Sequence, residues 1–264
     1  MSSTVLTPEA QAIDLARECL YRFLAAALHP PGSKGWQLAA DPESQRLASA
    51  AAELLREEAL QRPAAPGFGE LTADRLDLRP LLEELRRPAE ELAAEYQRVF
   101  GLVFTGECPP YETEYQPNAD PFFRAQQMAD IAGFYRAFGL EPGRSLAERS
   151  DHLALELEFL ALLLAKKRLA LAEDADGINR AAVCDEAFRA FFRDHVAWWV
   201  PSFALGLRRK TSNGLYAALA QFLAALLPTE RGRLGVAAPR LPLQAALIER
   251  PEEQESCAGC AAGP

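Results

Sequence analysis

The run Ser150-Asp151-His152, continuing as LALELEFLALLLAKK, puts acids and an imidazole at helical spacing. Asp151 and His152 fall in the first turn, and Glu156 lies four residues beyond His152 on the same face. Two chemistries suit the set. One is structural, an acidic helix cap with a histidine satisfied by Glu156. The other is recognition of a ligand beside the loop that precedes the helix. Helical di-iron sites draw Glu-x-x-His pairs from two helices. This chain has no Glu-x-x-His and only three widely separated histidines, which disfavours a metal oxidase. Cys257-Ala258-Gly259-Cys260 is a C-x-x-C, a spacing used for zinc or thiol exchange. No second pair is present to complete a structural zinc site. The readings left open are two exposed thiols on a tail, an intermolecular metal site, or a docking contact. A third cluster, His195-Val196-Ala197-Trp198-Trp199-Val200-Pro201-Ser202-Phe203, concentrates aromatic surface beside one histidine. Most of it reads as core, and a ring that reached a groove would anchor a bound peptide. No phosphate loop, dinucleotide fingerprint or nucleophile elbow occurs.

Helices must position these groups. The 264 residues include 89 alanines and leucines against 18 valines, isoleucines and threonines. Methyl and straight-chain side chains lose little freedom in a helix, whereas β-branched ones favour strands. The chain is therefore all-α. Thr7-Pro8-Glu9 reads as an N-cap, a proline at the first helical position and a first-turn acid, and His29-Pro30-Pro31-Gly32 stops that helix. Asp41-Pro42 starts a second helix, ending before Arg62-Pro63, and residues 61–70 form a loop. Leu78–Arg87 is a short helix and Pro88 opens another to about Phe104. Thr105 to Pro121 holds four prolines in seventeen residues, which forbids a continuous helix. A long loop inside a domain is usually functional or disordered, and its aromatics argue against disorder. Helices resume at about 121–138, 150–173, 178–209 (kinked or split at Pro201) and 213–227. The helix from 150 is apolar nearly all round, as expected at the centre of a bundle. From Pro228 onward proline and glycine return, with one further short helix near 243–249. We read residues 1–227 as a single all-helical domain and 228–264 as a partly flexible extension carrying the C-x-x-C.

Charge narrows the partners. With 28 Lys+Arg and 37 Asp+Glu the net charge is −9. That balance disfavours nucleic acid and anionic lipid and suits a cationic partner. The apolar runs Leu153–Ala165 and Leu215–Leu227 fall short of the roughly 20 residues that span a bilayer, so stable membrane insertion is not expected. The N-terminus has no secretory signal pattern, and five cysteines, three of them scattered singly, suit a reducing cytoplasm.

Four segments, in order, resemble the TorD/DmsD/NarJ family of cytoplasmic chaperones for molybdenum enzymes. Glu95-Tyr96-Gln97-Arg98-Val99-Phe100 is similar to its Tyr-x-x-Leu-Phe helix end. Pro109-Pro110-Tyr111-Glu112-Thr113-Glu114-Tyr115 is similar to its Pro-Tyr-Glu-Ser-x-Tyr loop, with Thr113 in place of serine. Glu148-Arg149-Ser150-Asp151-His152 is similar to its Glu-x-Pro-Asp-His helix opening, with Ser150 in place of proline. His195-Val196-x-x-Trp199-x-Pro201-x-Phe203 is similar to its His-Leu-x-x-Trp-x-x-x-Phe segment. The match spans about residues 10–227 and leaves the tail outside it.

The resemblance implies a non-enzymatic chaperone of TorD-like helical fold, without a cofactor of its own. It would bind the twin-arginine leader and apo form of a molybdopterin enzyme's catalytic subunit until cofactor is inserted, preventing premature export. A groove offering Glu112, Asp151 and Glu156 beside Tyr115 and Trp199 would complement arginines and an apolar stretch. Thr113, His152 and Phe203 complete the expected peptide-binding set. A NarJ-like assembly factor for a reductase that is not exported is the alternative within the family. A helical metal or redox protein using Cys257 and Cys260 is the alternative outside it. The chaperone would act as a monomer or a homodimer.

Overall fold

Thr7 and Asp41 open their helices as the sequence predicts. Thr7 Oγ1 accepts from Ala10 N–H at 3.2 Å and Asp41 Oδ2 from Ser44 N–H at 2.8 Å, each with proline at the first helical position. The structure is a computed structural model that describes residues 7–101, 108–117, 121–140, 148–173, 176–240 and 243. Among them are ten α-helices and no strand: α1 (Pro8–Ala27), α2 (Gln37–Ala40), α3 (Pro42–Gln61), α4 (Arg79–Glu84), α5 (Ala89–Phe100), α6 (Pro121–Ala137), α7 (Leu153–Ala172), α8 (Gly177–Phe191), α9 (Val200–Lys210) and α10 (Leu215–Leu234). Cys257, Cys260 and nearly all of the short helix expected near 243–249 lie outside the described residues.

α1 packs between α3 and α7, α7 also packs on α8, and α10 packs on α9. The nearly all-apolar α7 is accordingly buried around much of its circumference, with Leu153, Leu157, Leu160 and Leu164 all in the core. Glu230 of α10, fully buried, accepts from Arg17 Nε at 3.0 Å, Arg17 Nη2 at 2.8 Å and Tyr21 Oη at 2.9 Å, pinning α1 to α10.

The helix predicted to stop at 227 runs on to Leu234, with Pro228 inside it. A mid-helix proline leaves the carbonyl four residues earlier without its donor. Here that carbonyl, Ala224 O, accepts from Leu71 N–H at 2.8 Å, so the residue just after the 61–70 loop supplies the missing bond. Residues 228–234 thus belong to the packed domain rather than to an extension.

A second difference precedes α9. The 178–209 segment breaks ahead of Pro201, not at it. α8 leads into a π-turn over Phe192–Val196, marked by Ala197 N–H donating to Phe192 O at 2.8 Å, and Pro201 then sits in the first turn of α9.

The Tyr-x-x-Leu-Phe-like segment does structural work. Glu95 accepts from Tyr216 N–H at 3.2 Å, satisfying the start of α10, and from Arg87 Nη1 at 2.6 Å. Gly214, at φ +94°, precedes α10. A Cβ there would stand 2.5 Å from the Glu95 carboxylate, so glycine is needed for both dihedral and space.

Candidate functional site: a buried polar junction

The Pro109–Tyr115 loop meets the turn before α7 in one antiparallel bridge between Tyr111 and His152. Glu112 N–H donates to Asp151 O and Leu153 N–H to Pro110 O, both at 2.9 Å. Glu112 to Tyr115 then form a 3-10 turn that is wholly buried. Burial forces each polar group there to find a partner within the chain. Asp151 Oδ2 accepts from Thr113 N–H at 3.1 Å and Thr113 Oγ1 at 2.8 Å. Arg149 binds the same carboxylate through Nε at 3.0 Å and Nη2 at 2.8 Å.

The segment after α8 closes the junction from the other side. Glu112 Oε1 accepts from Trp198 Nε1 at 2.8 Å and from Gln127 Nε2 of α6 at 2.5 Å, and Glu112 Oε2 pairs with His195 Nδ1 at 3.1 Å. The π-turn brings His195 and the two tryptophans to that position. Trp199 donates to His195 O at 2.6 Å, and its ring lies 5.1 Å from that of Tyr115 and 5.8 Å from that of Phe203. α6 lies over the junction. Gln127 reaches Glu112, Asp130 stands 3.2 Å from His195 Nε2, and Tyr135 Oη donates to Ser150 O at 2.9 Å.

Glu112, Thr113, Tyr115, Asp151, His152, Glu156, Trp199 and Phe203 are therefore brought together, and all eight are buried. The expectation of an open carboxylate-lined groove is corrected at this point. Glu112 and Asp151 are occupied by the chain's own donors, and aromatic rings and α6 fill the space beside them. A cleft of about 450 Å³ lies away from the junction, between α1 and α7, lined by Leu15, Lys167 and Leu171. Nor does His152 pair with Glu156. Its Nδ1 accepts from Ala154 N–H at 3.1 Å, making His152 the N-cap of α7 and releasing Asp151 for the loop.

Two proteins described as assembly chaperones are similar to this chain. The selenate reductase assembly chaperone protein of Thauera selenatis is 32% identical over 155 residues, 58% of this chain and 75% of that one. The chlorate reductase assembly chaperone protein of Ideonella dechloratans is 32% identical over 147 residues, 55% and 72% of the two chains. The chaperone protein TorD of Vibrio cholerae is 31% identical over 148 residues, 53% of this chain and 61% of that one. The family model described as nitrate reductase delta subunit matches residues 45–205. The chain belongs to that family. Like these curated relatives, this delta-subunit family member is a chaperone and not an enzyme. The matched span contains three of its junction segments complete, from the loop through Phe203. No described helix is long and apolar enough to cross a membrane, and no described cluster of His, Cys, Asp and Glu is grouped to hold a metal ion.

Charge at the junction of this family member is set by burial. Burial pushes the Glu112 carboxyl up, and the His195 and Trp198 hydrogen bonds pull it back. Burial opposes the His195 imidazolium, but Glu112 and the nearby Asp130 and Asp194 outweigh it and raise His195. Burial pushes His152 down to about 4, so it is neutral and keeps its acceptor nitrogen. Glu156 is held well above the carboxylate range by full burial, then by the charges of Glu112 and Asp151. Neither Glu156 oxygen has a hydrogen-bond partner. The folded chain therefore retains a proton on Glu156 that the unfolded chain releases above the ordinary value of 4.5, and stability is lost as pH rises beyond it. Glu156→Gln is expected to be more stable than the parent at pH 8, with the advantage fading toward pH 4.5. Urea melts at both pH values check this, and an equal gap at the two would refute it.

Residues outside the expected set matter as much. Arg149, Gln127, Trp198, His195 and Glu114 supply most of the partners. His195, Trp198 and Arg149 stand inside the family-like segments, at places where position alone signals little. Gln127 carries no signal in the sequence at all.

Proposed function

We propose that this chaperone binds the N-terminal twin-arginine leader and the apo form of a molybdopterin reductase's catalytic subunit in the cytoplasm. It holds that subunit until cofactor is inserted and keeps it from premature export. The observation that carries the reading is the convergence of three family-like segments on one junction. There two buried carboxylates, Glu114 and Asp151, hold a guanidinium against the Tyr111 ring at 4.4 Å. Leader arginines are drawn by the net charge of −9. The leader's apolar stretch is offered Phe122 and Phe123, 69% and 46% exposed at the start of α6 next to the junction. Glu112, Thr113, Tyr115, Asp151, His152, Glu156, Trp199 and Phe203 form the floor of this region, and the leader reaches them only as internal partners give way.

The test is calorimetric titration of the purified protein with a leader peptide and with the same peptide carrying alanines for its two arginines. The expected result is micromolar binding of the first and a loss of at least about tenfold for the second, near 1.4 kcal/mol. No binding of either peptide would end the leader reading. Equal binding would favour the NarJ-like role on a reductase that is not exported, a reading supported by the nitrate reductase delta subunit match.

A further inference from the structure

Arg149 is held as a ligand is held. Four of its five donors are engaged: two meet Asp151, Nη1 meets Glu114 Oε1 at 3.0 Å and Nη2 meets Thr113 Oγ1 at 2.7 Å, and its guanidinium carbon lies 4.4 Å from the Tyr111 ring centre. The receiving groups are fixed and dry, with Asp151, Thr113 and Glu114 at 0%, 1% and 4% exposure. The Arg149 side chain is 40% exposed, so the assembly reaches solvent through it and through the half-buried Tyr111. It belongs to no helix, and stands two residues from the carboxylate it binds. One buried acceptor is also left over. Glu114 Oε2 makes no hydrogen bond, although Arg124 Nη2 of α6 stands 3.4 Å away.

We infer that Tyr111, Thr113, Glu114 and Asp151 form a guanidinium-binding site that the chain fills with its own Arg149, and that an external arginine takes this place by exchange. Without Arg149 the buried Asp151 would have no cation and Glu114 would keep only Arg124 at 3.4 Å, which is costly, so the empty chain needs an occupant. A planar fork over an aromatic face selects guanidinium over ammonium. Exchange of one arginine for another leaves the site's own energy nearly unchanged. Arg149 therefore lowers the apparent affinity for an arginine ligand by the fraction of time the site is free. That the external arginine comes from a client leader rests on the function proposed above.

The experiment uses full-length Arg149→Ala and Arg149→Gln in thermal melts with millimolar methylguanidinium or methylammonium. Both variants are expected to melt lower than the parent and to recover with methylguanidinium alone, the parent responding to neither. If a variant does not fold, its refolding yield with each additive is read instead. Recovery by both cations alike, or by neither, overturns the site. The leader peptide supplies the second arm, where Arg149→Ala is expected to bind at least about tenfold more tightly than the parent. Methylguanidinium recovery without leader binding to any protein keeps the site and removes the leader reading. Leader binding that is equal in parent and variant, without recovery, removes this inference and keeps that reading.

Discussion

Asp151→Ala is expected to lower stability by about 3 kcal/mol, within the range for breaking a buried charge pair. Asp151 serves two elements at once. It accepts from the backbone and hydroxyl of Thr113, which are buried, and from two donors of Arg149. Alanine leaves the Thr113 N–H dry and unpaired and leaves Arg149 with Glu114 as its one carboxylate, beside the Thr113 hydroxyl and the Tyr111 ring. The Arg149 side chain is 40% exposed, so water softens that part of the loss, which keeps the estimate at the low end. For a domain this size the melting temperature would fall by about 6–12 °C. Asp151→Asn keeps an acceptor for Thr113 and should lose about half as much. Urea unfolding followed by near-ultraviolet circular dichroism, sensitive to Trp198 and Trp199, is the measurement. A loss under about 1 kcal/mol would mean that the backbone bridge alone secures the loop.

Glu230→Ala should cost about 3 kcal/mol by the same physics at the opposite end of the molecule. Arg17 and Tyr21 lose their shared acceptor in a place that water does not reach. Asp14, 2.9 Å from Arg17 Nη1, still holds the guanidinium and limits the damage. The double replacement Arg17→Met with Glu230→Leu is expected within about 1 kcal/mol of the parent, because apolar packing often matches a buried ion pair. That contrast would show that the pair sets the register of α1 against α10 more than it adds net stability. If the double variant lost as much as the single one, the pair would be a true source of stability.

The sequence made some of this legible and concealed the rest for identifiable reasons. Thr7 and Asp41 could be read as caps because a cap acts within three residues of itself. Asp151 looked like one too, but its partners include Thr113, 38 residues upstream, and His152 does the capping. Pro228 read as a stop because nothing local announces that Leu71 will serve Ala224 O. Three of the family-like segments converge on one junction. What they did not convey is that acids packed this deeply carry their own donors along. Gln127 and Arg149 could be recognised as those donors only once α6 and the Asp-His turn were placed in space.

The wide turn at Phe192–Val196 has one more consequence. Each residue added to a helical winding turns everything downstream by about 100°. The π-turn adds one such step between the α8 face that packs on α7 and the indoles that close over Glu112 and Tyr115. It acts as a phase shifter, letting one continuous segment serve two walls that a uniform pitch would not face together. A relative lacking the extra step would have to aim its tryptophans by some other device.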